Sequence, residues 1–325
     1  MNARLQFKKF ELIHLTAKGE RRASVPLRKL ETLWFNTGTL CNITCANCYI
    51  ESSPRNDRLA YLSLDDVKLY LDEIARERLP TRLIGFTGGE PFMSASFPAI
   101  LDETLARGFE TLTLTNAKRP MMRRKVVIAG LARRYGQAMR LRVSLDDFSE
   151  EVHDKERGRG SFAKALEGLK WLSDSGVNIE IAGRYLSGNT EEEIRTGFGD
   201  VLSAHGIEID CADPRQLLLL PEMSPMADPP EITPACWAIL GVSPDGIMCS
   251  DARMVVRRKD TEEPVVLACT LLPYDARFEL GRTLAEASTP VHLAHKYCST
   301  FCVLGGASCG SARKDCEEAA PGVLP

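Results

Sequence analysis

The chain has 325 residues, 44% of them hydrophobic and 26% charged, and its formal net charge is −3 at pH 7. This length suffices for one large domain and a smaller one, and the slight acidity gives no overall attraction to nucleic acid. No apolar run approaches the roughly 18 residues that span a bilayer, and the first residues lack the apolar core of a secretory signal. The 11 cysteines therefore indicate metal ligation in a reducing cytoplasm, and we expect neither a membrane nor a nucleic-acid partner.

Residues 1–30 are predicted to form a short N-terminal hairpin. Apolar residues recur up to Leu15, and Lys18-Gly19 is typical of a turn. The free edge of such a hairpin either covers a neighbouring sheet or accepts an extended peptide as an added strand, and the sequence leaves both open.

A group of three cysteines follows the strand predicted at Thr32–Thr37. Cys41, Cys45 and Cys48 have the spacing C-x3-C-x2-C, which can bring three thiolates to one iron–sulfur cube. Three protein ligands leave one iron open to a small molecule, and open positions are typical of catalytic metal sites. A structural zinc site would need a fourth Cys or His nearby, and neither occurs between Cys48 and His153.

A glycine-rich motif, Gly88-Gly89-Glu90-Pro91, lies about 40 residues after the cysteines, at the end of a strand predicted at Arg82–Thr87. The two glycines allow the backbone to approach a ligand closely. The carboxylate of Glu90 can accept a charge-assisted hydrogen bond from an ammonium group, and Pro91 fixes the exit from the turn. Together with the cysteines, this motif resembles the radical S-adenosylmethionine (radical SAM) superfamily.

The resemblance implies a [4Fe–4S] cluster on Cys41, Cys45 and Cys48, with the amino and carboxylate groups of SAM on its open iron. In that superfamily, SAM is cleaved reductively to methionine and a 5′-deoxyadenosyl radical, which abstracts hydrogen from a substrate. The resemblance extends over residues 31 to about 310. Asn47 departs from it, because the family usually has an aromatic residue just before its third cysteine. The remaining SAM contacts that it implies are Gly88, Gly89, Glu90, Pro91, Asn116, Ser144, Asp146 and Arg184.

Strand and helix patterns alternate through residues 31–221, which predicts a parallel sheet with helices on its outside. Six such units match the partial (β/α)6 barrel that the resemblance implies. The predicted strands are Thr32–Thr37, Arg82–Thr87, Thr111–Asn116, Arg140–Asp146, Asn178–Tyr185 and Gln216–Leu220. The predicted helices run from Ser63 to about Arg78, over Ala95–Arg107, Met121–Tyr135 and Ser161–Ser175, and onwards from Thr190.

Alternation along the strands predicts which side chains face the barrel interior. In Leu141–Asp146 the apolar residues alternate with Arg142, Ser144 and Asp146, which should therefore face the lumen. The same alternation places Glu180 and Arg184 inside. Arg184 is a candidate clamp for a carboxylate of SAM or substrate, and an ion pair with Glu180 is the open alternative.

Residues 222–325 are predicted to form a separate, cysteine-rich domain. An Asp245-Gly246 turn between Cys236 and Cys249 is typical of a hairpin. The tail resembles the SPASM/twitch extensions of radical SAM enzymes, which implies one auxiliary [4Fe–4S] cluster, with a zinc site as the open alternative. The candidate ligands are Cys236, Cys249, Cys298, Cys302 and Cys309. Cys211 remains outside both sets, either as a hydrogen-atom donor to a substrate radical or as a packed apolar side chain.

We therefore expect a radical SAM enzyme acting on a peptide or a small polar metabolite. The segment His153–Gly158 resembles one that is frequent in the peptide-modifying branch. Nine Lys and Arg with no acidic residue between Lys118 and Arg142 favour docking of an acidic flavodoxin or ferredoxin as electron donor. The alternatives are an iron–sulfur electron carrier without catalysis, which would not need a SAM pocket, and an RNA-modifying enzyme, which the negative charge disfavours.

Overall fold

The computed structural model describes residues 7–224 and 226–308. The strands are β1 (Ser24–Val25), β2 (Thr32–Asn36), β3 (Leu83–Thr87), β4 (Glu110–Thr115), β5 (Met139–Ser144), β6 (Asn178–Arg184), β7 (Leu217–Leu220), β8 (Ala252–Val256), β9 (Val265–Leu267), β10 (Glu279–Gly281) and β11 (Val291–His292). The helices are α1 (Leu64–Glu77), α2 (Phe97–Ala106), α3 (Arg119–Met122), α4 (Lys125–Tyr135), α5 (Glu150–Arg157), α6 (Ser161–Asp174), α7 (Glu191–Ala204) and α8 (Ala235–Leu240).

Nine of these strands form one sheet in the order β10-β9-β8-β2-β3-β4-β5-β6-β7. Strands β2 to β7 are parallel neighbours in chain order, as the alternating strand and helix pattern predicts. On the other side of β2, strand β8 adds in parallel, and β9 and β10 continue antiparallel. The predicted partial (β/α)6 barrel is confirmed, and its sheet extends into the C-terminal part of the chain.

Local capping residues explain where two of the helices begin. Ser63 Oγ accepts the backbone N–H of Asp66, while the Asp66 carboxylate accepts the N–H of Ser63, which forms a capping box at the start of α1. Thr190 and Glu193 make the same arrangement at α7. The single helix predicted over Met121–Tyr135 is wrong, because Arg124 leaves the helical conformation and separates α3 from α4.

The barrel has an apolar exterior and a divided lumen. Leu141, Val143 and Leu145 face outward and are buried in the core under the helices, as predicted. Inside, Trp34 and Leu112 pack with Met248, Met254 and their neighbours from the C-terminal part, which closes the barrel floor with apolar side chains. The polar lumen residues therefore lie above this floor, at the carboxyl ends of the strands.

A glycine makes room for the tryptophan of this floor. A Cβ added to Gly85 would lie 2.3 Å from the indole of Trp34, so any larger residue at this point of β3 would displace the ring.

The segments outside the barrel differ from prediction in two places. Within residues 7–30, the predicted N-terminal hairpin has one antiparallel bridge, Leu15 to Arg21, and β1 pairs with β11 of the C-terminal part. The hairpin predicted between Cys236 and Cys249 is wrong. The segment instead forms α8 and short 3-10 turns, because Ser243 Oγ accepts the N–H of Asp245 and caps a turn there. In the described ranges, no helix is long and apolar enough to cross a membrane.

Candidate functional site

A cleft opens at the carboxyl ends of the parallel strands, where α/β sheets commonly bind ligands. The side chains of Cys41, Cys45 and Cys48 line one wall of this cleft. Six of the eight predicted SAM contacts line it as well, namely Gly88, Gly89, Asn116, Ser144, Asp146 and Arg184. The sequence pattern therefore located residues that come together from β2, β3, β4, β5 and β6.

The Gly88-Gly89 turn packs directly against the cysteine loop. The N–H of Gly89 donates to the carbonyl of Gly38 at 2.8 Å. A Cβ on Gly89 would lie 2.0 Å from the Leu40 carbonyl oxygen, and Gly88 has a φ of +129° that side chains rarely adopt. Both positions therefore require glycine, because the turn must touch the backbone that carries the first cysteine.

Glu90 and Pro91 are buried and are not among the described lining residues of the cleft. The carboxylate of Glu90 accepts the Thr115 hydroxyl at 2.8 Å and the N–H of Asn116 at 2.9 Å. Burial raises the pKa of Glu90 to about 7, against the opposing effect of these hydrogen bonds. In this structure Glu90 connects the glycine turn to the end of β4, whereas the sequence suggested contact with the ammonium group of a ligand.

Asn116 connects the end of β4 to the cysteine loop. Its side-chain amide donates to Asn42 Oδ1 at 2.9 Å and lies 3.8 Å from Cys41 Sγ. The predicted SAM contact Asn116 therefore also positions the loop that carries the thiols.

Asp146 is buried in the cleft and carries a paired negative charge. Arg157 donates to its two oxygens at 2.7 and 2.8 Å in a bidentate pair. Burial alone would raise the pKa of Asp146, but the charge and hydrogen bonds of Arg157 outweigh it and lower the pKa. His153 Nδ1 accepts the backbone N–H of Asp146 at 3.1 Å, which fixes the loop after β5.

Arg184 reaches the same cleft and is only 6% exposed. Its Nη1 donates to Glu156 at 3.2 Å and lies 3.9 Å from Asp146, while Nε and Nη2 have no hydrogen-bond partner among the described residues. The ion pair between Arg184 and Glu180 that the sequence left open is not formed. Glu180 lies opposite Arg142 in the sheet and pairs with it at 2.7 Å instead.

The three thiols fit an iron–sulfur cube better than a single ion. Burial raises the pKa of Cys41 to about 12 and also raises that of Cys45, so ligation would have to displace protons from the thiols. In the part of the chain that the structure describes, no three His, Cys, Asp or Glu side chains are close enough to hold one metal ion. A cube takes each thiolate on a different iron, and Cys41, Cys45 and Cys48 all line the same cleft.

Sequence reasoning missed several residues of the cleft. Arg157 lies in the segment His153–Gly158, which the sequence analysis noted only for its resemblance to the peptide-modifying branch. The positive charge of Arg157 was the available signal that it could pair with a carboxylate. Tyr49 follows the third cysteine directly, and the Arg184 guanidinium lies 5.6 Å from its ring centre. Thr270 and Leu271 come from the segment after β9, and no motif marks them.

A second, smaller cavity is lined by four thiols of the C-terminal part. These are Cys249, Cys269, Cys298 and Cys302. Cys298 and Cys302 are four residues apart on a π-helical segment, Cys298–Leu304. Cys269 was not among the candidate ligands, whereas Cys236 packs at the edge of the surrounding apolar cluster and Cys309 lies outside the described residues.

Cys211 does not reach either site. Its side chain belongs to the main apolar core, is 8% exposed, and is absent from the described cleft lining. This position favours a packed apolar side chain over a hydrogen-atom donor.

Residues 35–196 match the family described as the Radical SAM superfamily, so the fold and the cleft belong to a known class. The chain is a member of the radical SAM superfamily. This superfamily uses a [4Fe–4S] cluster and SAM.

Several curated proteins are similar to part of the chain, among them two biosynthetic proteins. The antilisterial bacteriocin subtilosin biosynthesis protein AlbA of Bacillus subtilis (strain 168) is 34% identical over 169 residues, which are 52% of this chain and 35% of AlbA. The mycofactocin maturase MftC of Mycolicibacterium smegmatis is 32% identical over 138 residues, which are 42% of this chain and 32% of MftC. The chain thus spans about a third of the length of these relatives.

Solved structures share the architecture over more of the chain. Native anSMEcpe with bound AdoMet and the Cp18Cys peptide has a TM-score of 0.57 at 15% identity, and covers 87% of this chain and 91% of that chain. Streptococcus suis SuiB bound to S-adenosylmethionine has a TM-score of 0.55 at 14% identity, and covers 78% of this chain and 63% of that chain. At these identities the likeness establishes the fold.

Proposed function

We propose that the protein is a radical SAM enzyme that cleaves SAM reductively and removes a hydrogen atom from a peptide. The observation that carries this proposal is the convergence of three thiols, the Gly88-Gly89 turn and the Asp146–Arg157 pair on one cleft. An electron carrier would have no use for a cleft with these polar groups beside its cluster.

The chain's own residues would hold the cofactors as follows. Cys41, Cys45 and Cys48 would ligate the cluster, and Gly88 and Gly89 would allow the methionyl part of SAM to lie close to the backbone. When bound, the cluster and SAM together supply the radical that abstracts hydrogen.

Two further groups of residues would orient SAM above the cluster. Ser144 and Asn116 offer hydrogen bonds from neighbouring strand ends, and Arg184 offers two unpaired donor atoms to a carboxylate. The Asp146–Arg157 pair would hold the loop after β5 in place beside them.

A peptide is the favoured substrate class over a small polar metabolite. AlbA carries the name of a bacteriocin biosynthesis protein and MftC that of a maturase, and the anSMEcpe structure contains a peptide. The cleft beside the thiols has an apolar wall of Tyr49, Leu218, Leu220 and Leu271, which suits contact with peptide side chains.

The C-terminal part, residues 222–325, would hold one auxiliary [4Fe–4S] cluster. Cys249, Cys269, Cys298 and Cys302 surround one cavity, and four thiolates are the number that such a cube takes. This set adds Cys269 to the predicted ligands and leaves out Cys236, while the predicted ligand Cys309 lies outside the described residues.

An acidic flavodoxin or ferredoxin would donate the electron at the basic surface of α3 and the start of α4. Lys118 is buried, bonds to Ser161, and acts electrostatically on Cys45 and Cys41. Arg119, the next residue, is exposed together with Arg123. Lys118 and Arg142, two of the nine cations counted in the sequence, are buried and do not contribute to the surface.

The test is anaerobic reconstitution followed by measurement of 5′-deoxyadenosine formed from SAM under dithionite. Cys41→Ala, Cys45→Ala and Cys48→Ala should each abolish its formation, because alanine cannot ligate iron. Cys211→Ala is the matched control, since its thiol lies in the apolar core, and it should retain cleavage. Cleavage that persists in any of the three cluster variants would refute the assignment.

A further inference from the structure

Arg253 is a buried cation beside the second group of cysteines. Arg253 belongs to β8 and is 1% exposed. The guanidinium donates to the backbone carbonyls of Ala287 at 2.8 Å, Cys249 at 2.6 Å, Ala252 at 2.8 Å and Thr289 at 3.1 Å. Its hydrogen bonds are thus provided by neutral acceptors, which hold the group in one position.

Among the described residues, Arg253 forms no ion pair with a carboxylate, unlike two other arginines that contact the C-terminal part of the chain. Arg22 pairs with Glu231 at 2.6 Å, and Arg277 pairs with Asp275 at 2.6 Å. No carboxylate of the described ranges lies within ion-pair distance of Arg253, whose contacts are all to backbone oxygen. A buried and uncompensated charge is strongly unfavourable, so a negative partner is expected at this place.

The strongest attractive charge effects on the Arg253 guanidinium come from two thiols. Cys249 and Cys269, when ionised, act on it more strongly than the carboxylate of Asp251 does. Both thiols line the cavity that Cys298 and Cys302 complete. The candidate counter-charge therefore lies in the cavity proposed for the auxiliary cluster.

We propose that Arg253 is the counter-cation of an anionic [4Fe–4S] cluster bound by these four thiols, and that it raises the cluster's reduction potential. A cube with four thiolate ligands is an anion, and it gains one further negative charge when a reductant such as dithionite gives it one electron. A fixed positive charge favours the more negative, reduced form, and charge and hydrogen bonding near the sulfurs are known to set such potentials. This inference rests on the auxiliary-cluster part of the proposed function.

The test is a redox titration of the auxiliary cluster alone. A parent variant carrying Cys41→Ala, Cys45→Ala and Cys48→Ala is reconstituted, and the reduced cluster is followed by electron paramagnetic resonance. Adding Arg253→Met should make reduction at least tenfold less favourable, which is 59 mV more negative for a one-electron couple. Arg253→Lys keeps the charge and should shift the potential less than Arg253→Met does.

Two further variants complete the design. Arg277→Met is the matched control, because Asp275 already balances its charge and the shift should be smaller than for Arg253→Met. Arg253→Gln removes the charge, while the glutamine amide can still donate to the backbone carbonyls. This variant replaces Arg253→Met in the titration if Arg253→Met does not fold. It should shift the potential in the same negative direction.

The outcomes separate two failures. A parent variant without iron would refute the auxiliary cluster and this inference with it. An iron-loaded Arg253→Met or Arg253→Gln variant with the parent's potential would refute only the role of Arg253, which would then be a structural link between β8 and residues 287–289.

Discussion

The side-chain amide of Asn47 donates to the carboxylate of Glu156 at 3.1 Å, and the N–H of Ala46 donates to the Glu156 carbonyl at 2.8 Å. These contacts fasten the cysteine loop to the end of α5. The same carboxylate accepts from Arg184, so it also connects the loop to the end of β6. Asn47 stands where the family usually has an aromatic residue. In this structure its hydrogen bond to Glu156 holds the cysteine loop against α5.

We predict that Asn47→Ala weakens retention of the SAM-site cluster. The substitution removes a hydrogen bond to a charged acceptor, which contributes about 1.5–3 kcal/mol. Asn47→Asp should weaken retention further, because it opposes two carboxylates. The measurement is the rate at which a chelator removes iron from a variant that lacks Cys249, Cys269, Cys298 and Cys302.

Asn178→Ala is the control for this prediction, since the partly exposed Asn178 amide donates to the backbone carbonyl of Gln137, and neither residue is among the described lining of the cleft. Iron loss from Asn47→Ala at the parent's rate would show that the contact does not hold the loop.

We predict that Cys269 belongs to the auxiliary cluster and that Cys236 does not. In a chain without Cys41, Cys45 and Cys48, the remaining cluster should contain about four irons. Cys269→Ala should lose them because its thiol lines the cavity, whereas Cys236→Ala should keep them. Iron and sulfide analysis decides this. Retention in Cys269→Ala with loss in Cys236→Ala would restore the ligand set expected from the sequence, and zinc in place of iron would refute the cluster.

Much of the cleft was predictable because strand geometry is a local property. Side chains alternate across a strand, so the pattern of Leu141–Asp146 was enough to direct Ser144 and Asp146 into the lumen. The cysteine spacing and the glycine turn were equally local. Parallel strands then bring their carboxyl ends to one edge of the sheet, which gathers these residues without further information.

The pairing of charges was less predictable, because it depends on how separate elements dock. Glu180 is close to Arg184 in sequence, but the sheet register places it opposite Arg142. The partner that Arg184 does find, Glu156, comes from α5, and no local pattern gives the position of that helix on the barrel.

The hairpin predicted between Cys236 and Cys249 was wrong for a related reason. Asp245-Gly246 signals a hairpin only when strands flank it, and here Ser243 caps a 3-10 turn instead.

We predict that His153 makes the protein less stable as the pH falls from about 6.5 to 4. Burial, followed by the charge of Arg157, lowers the pKa of His153 to about 4, from about 6.5 in an unfolded chain. Between these values the unfolded state binds a proton that the folded state does not, so the free energy of unfolding decreases as the pH falls through this range. The loss is at most about 3 kcal/mol.

Urea unfolding of the metal-free protein at several pH values, compared with His153→Gln, measures this contribution. The amide oxygen of glutamine can still accept a hydrogen bond but does not titrate. The raised pKa of Glu90, about 7, makes the folded state more stable as the pH falls. This effect is the same in the parent and in His153→Gln, so it cancels in the comparison. The difference between the two curves should therefore shrink on acidification, and parallel curves would contradict the prediction.

The last prediction concerns the electron donor. Arg119 and Arg123 are exposed and Arg124 is partly exposed around α3, close to Lys118, which acts on the cysteine thiols. Arg124 is the N-cap of α4, where the helix dipole favours negative charge, so the dipole does not explain a cation at this position. Opposed charges accelerate encounter with an acidic flavodoxin more than they tighten the complex. Reversing all three to glutamate should slow flavodoxin-driven SAM cleavage, more strongly at low salt.

Dithionite provides the internal control, because it needs no docking surface and should reduce the variant as fast as the parent. Arg133→Glu with Arg134→Glu is the matched variant, since it reverses charge at the far end of α4, where Arg134 pairs with Asp102. It should leave flavodoxin-driven cleavage close to the parent rate. If the α3 variant loses activity equally with both reductants, the basic surface serves the substrate or the fold, and the donor must dock elsewhere.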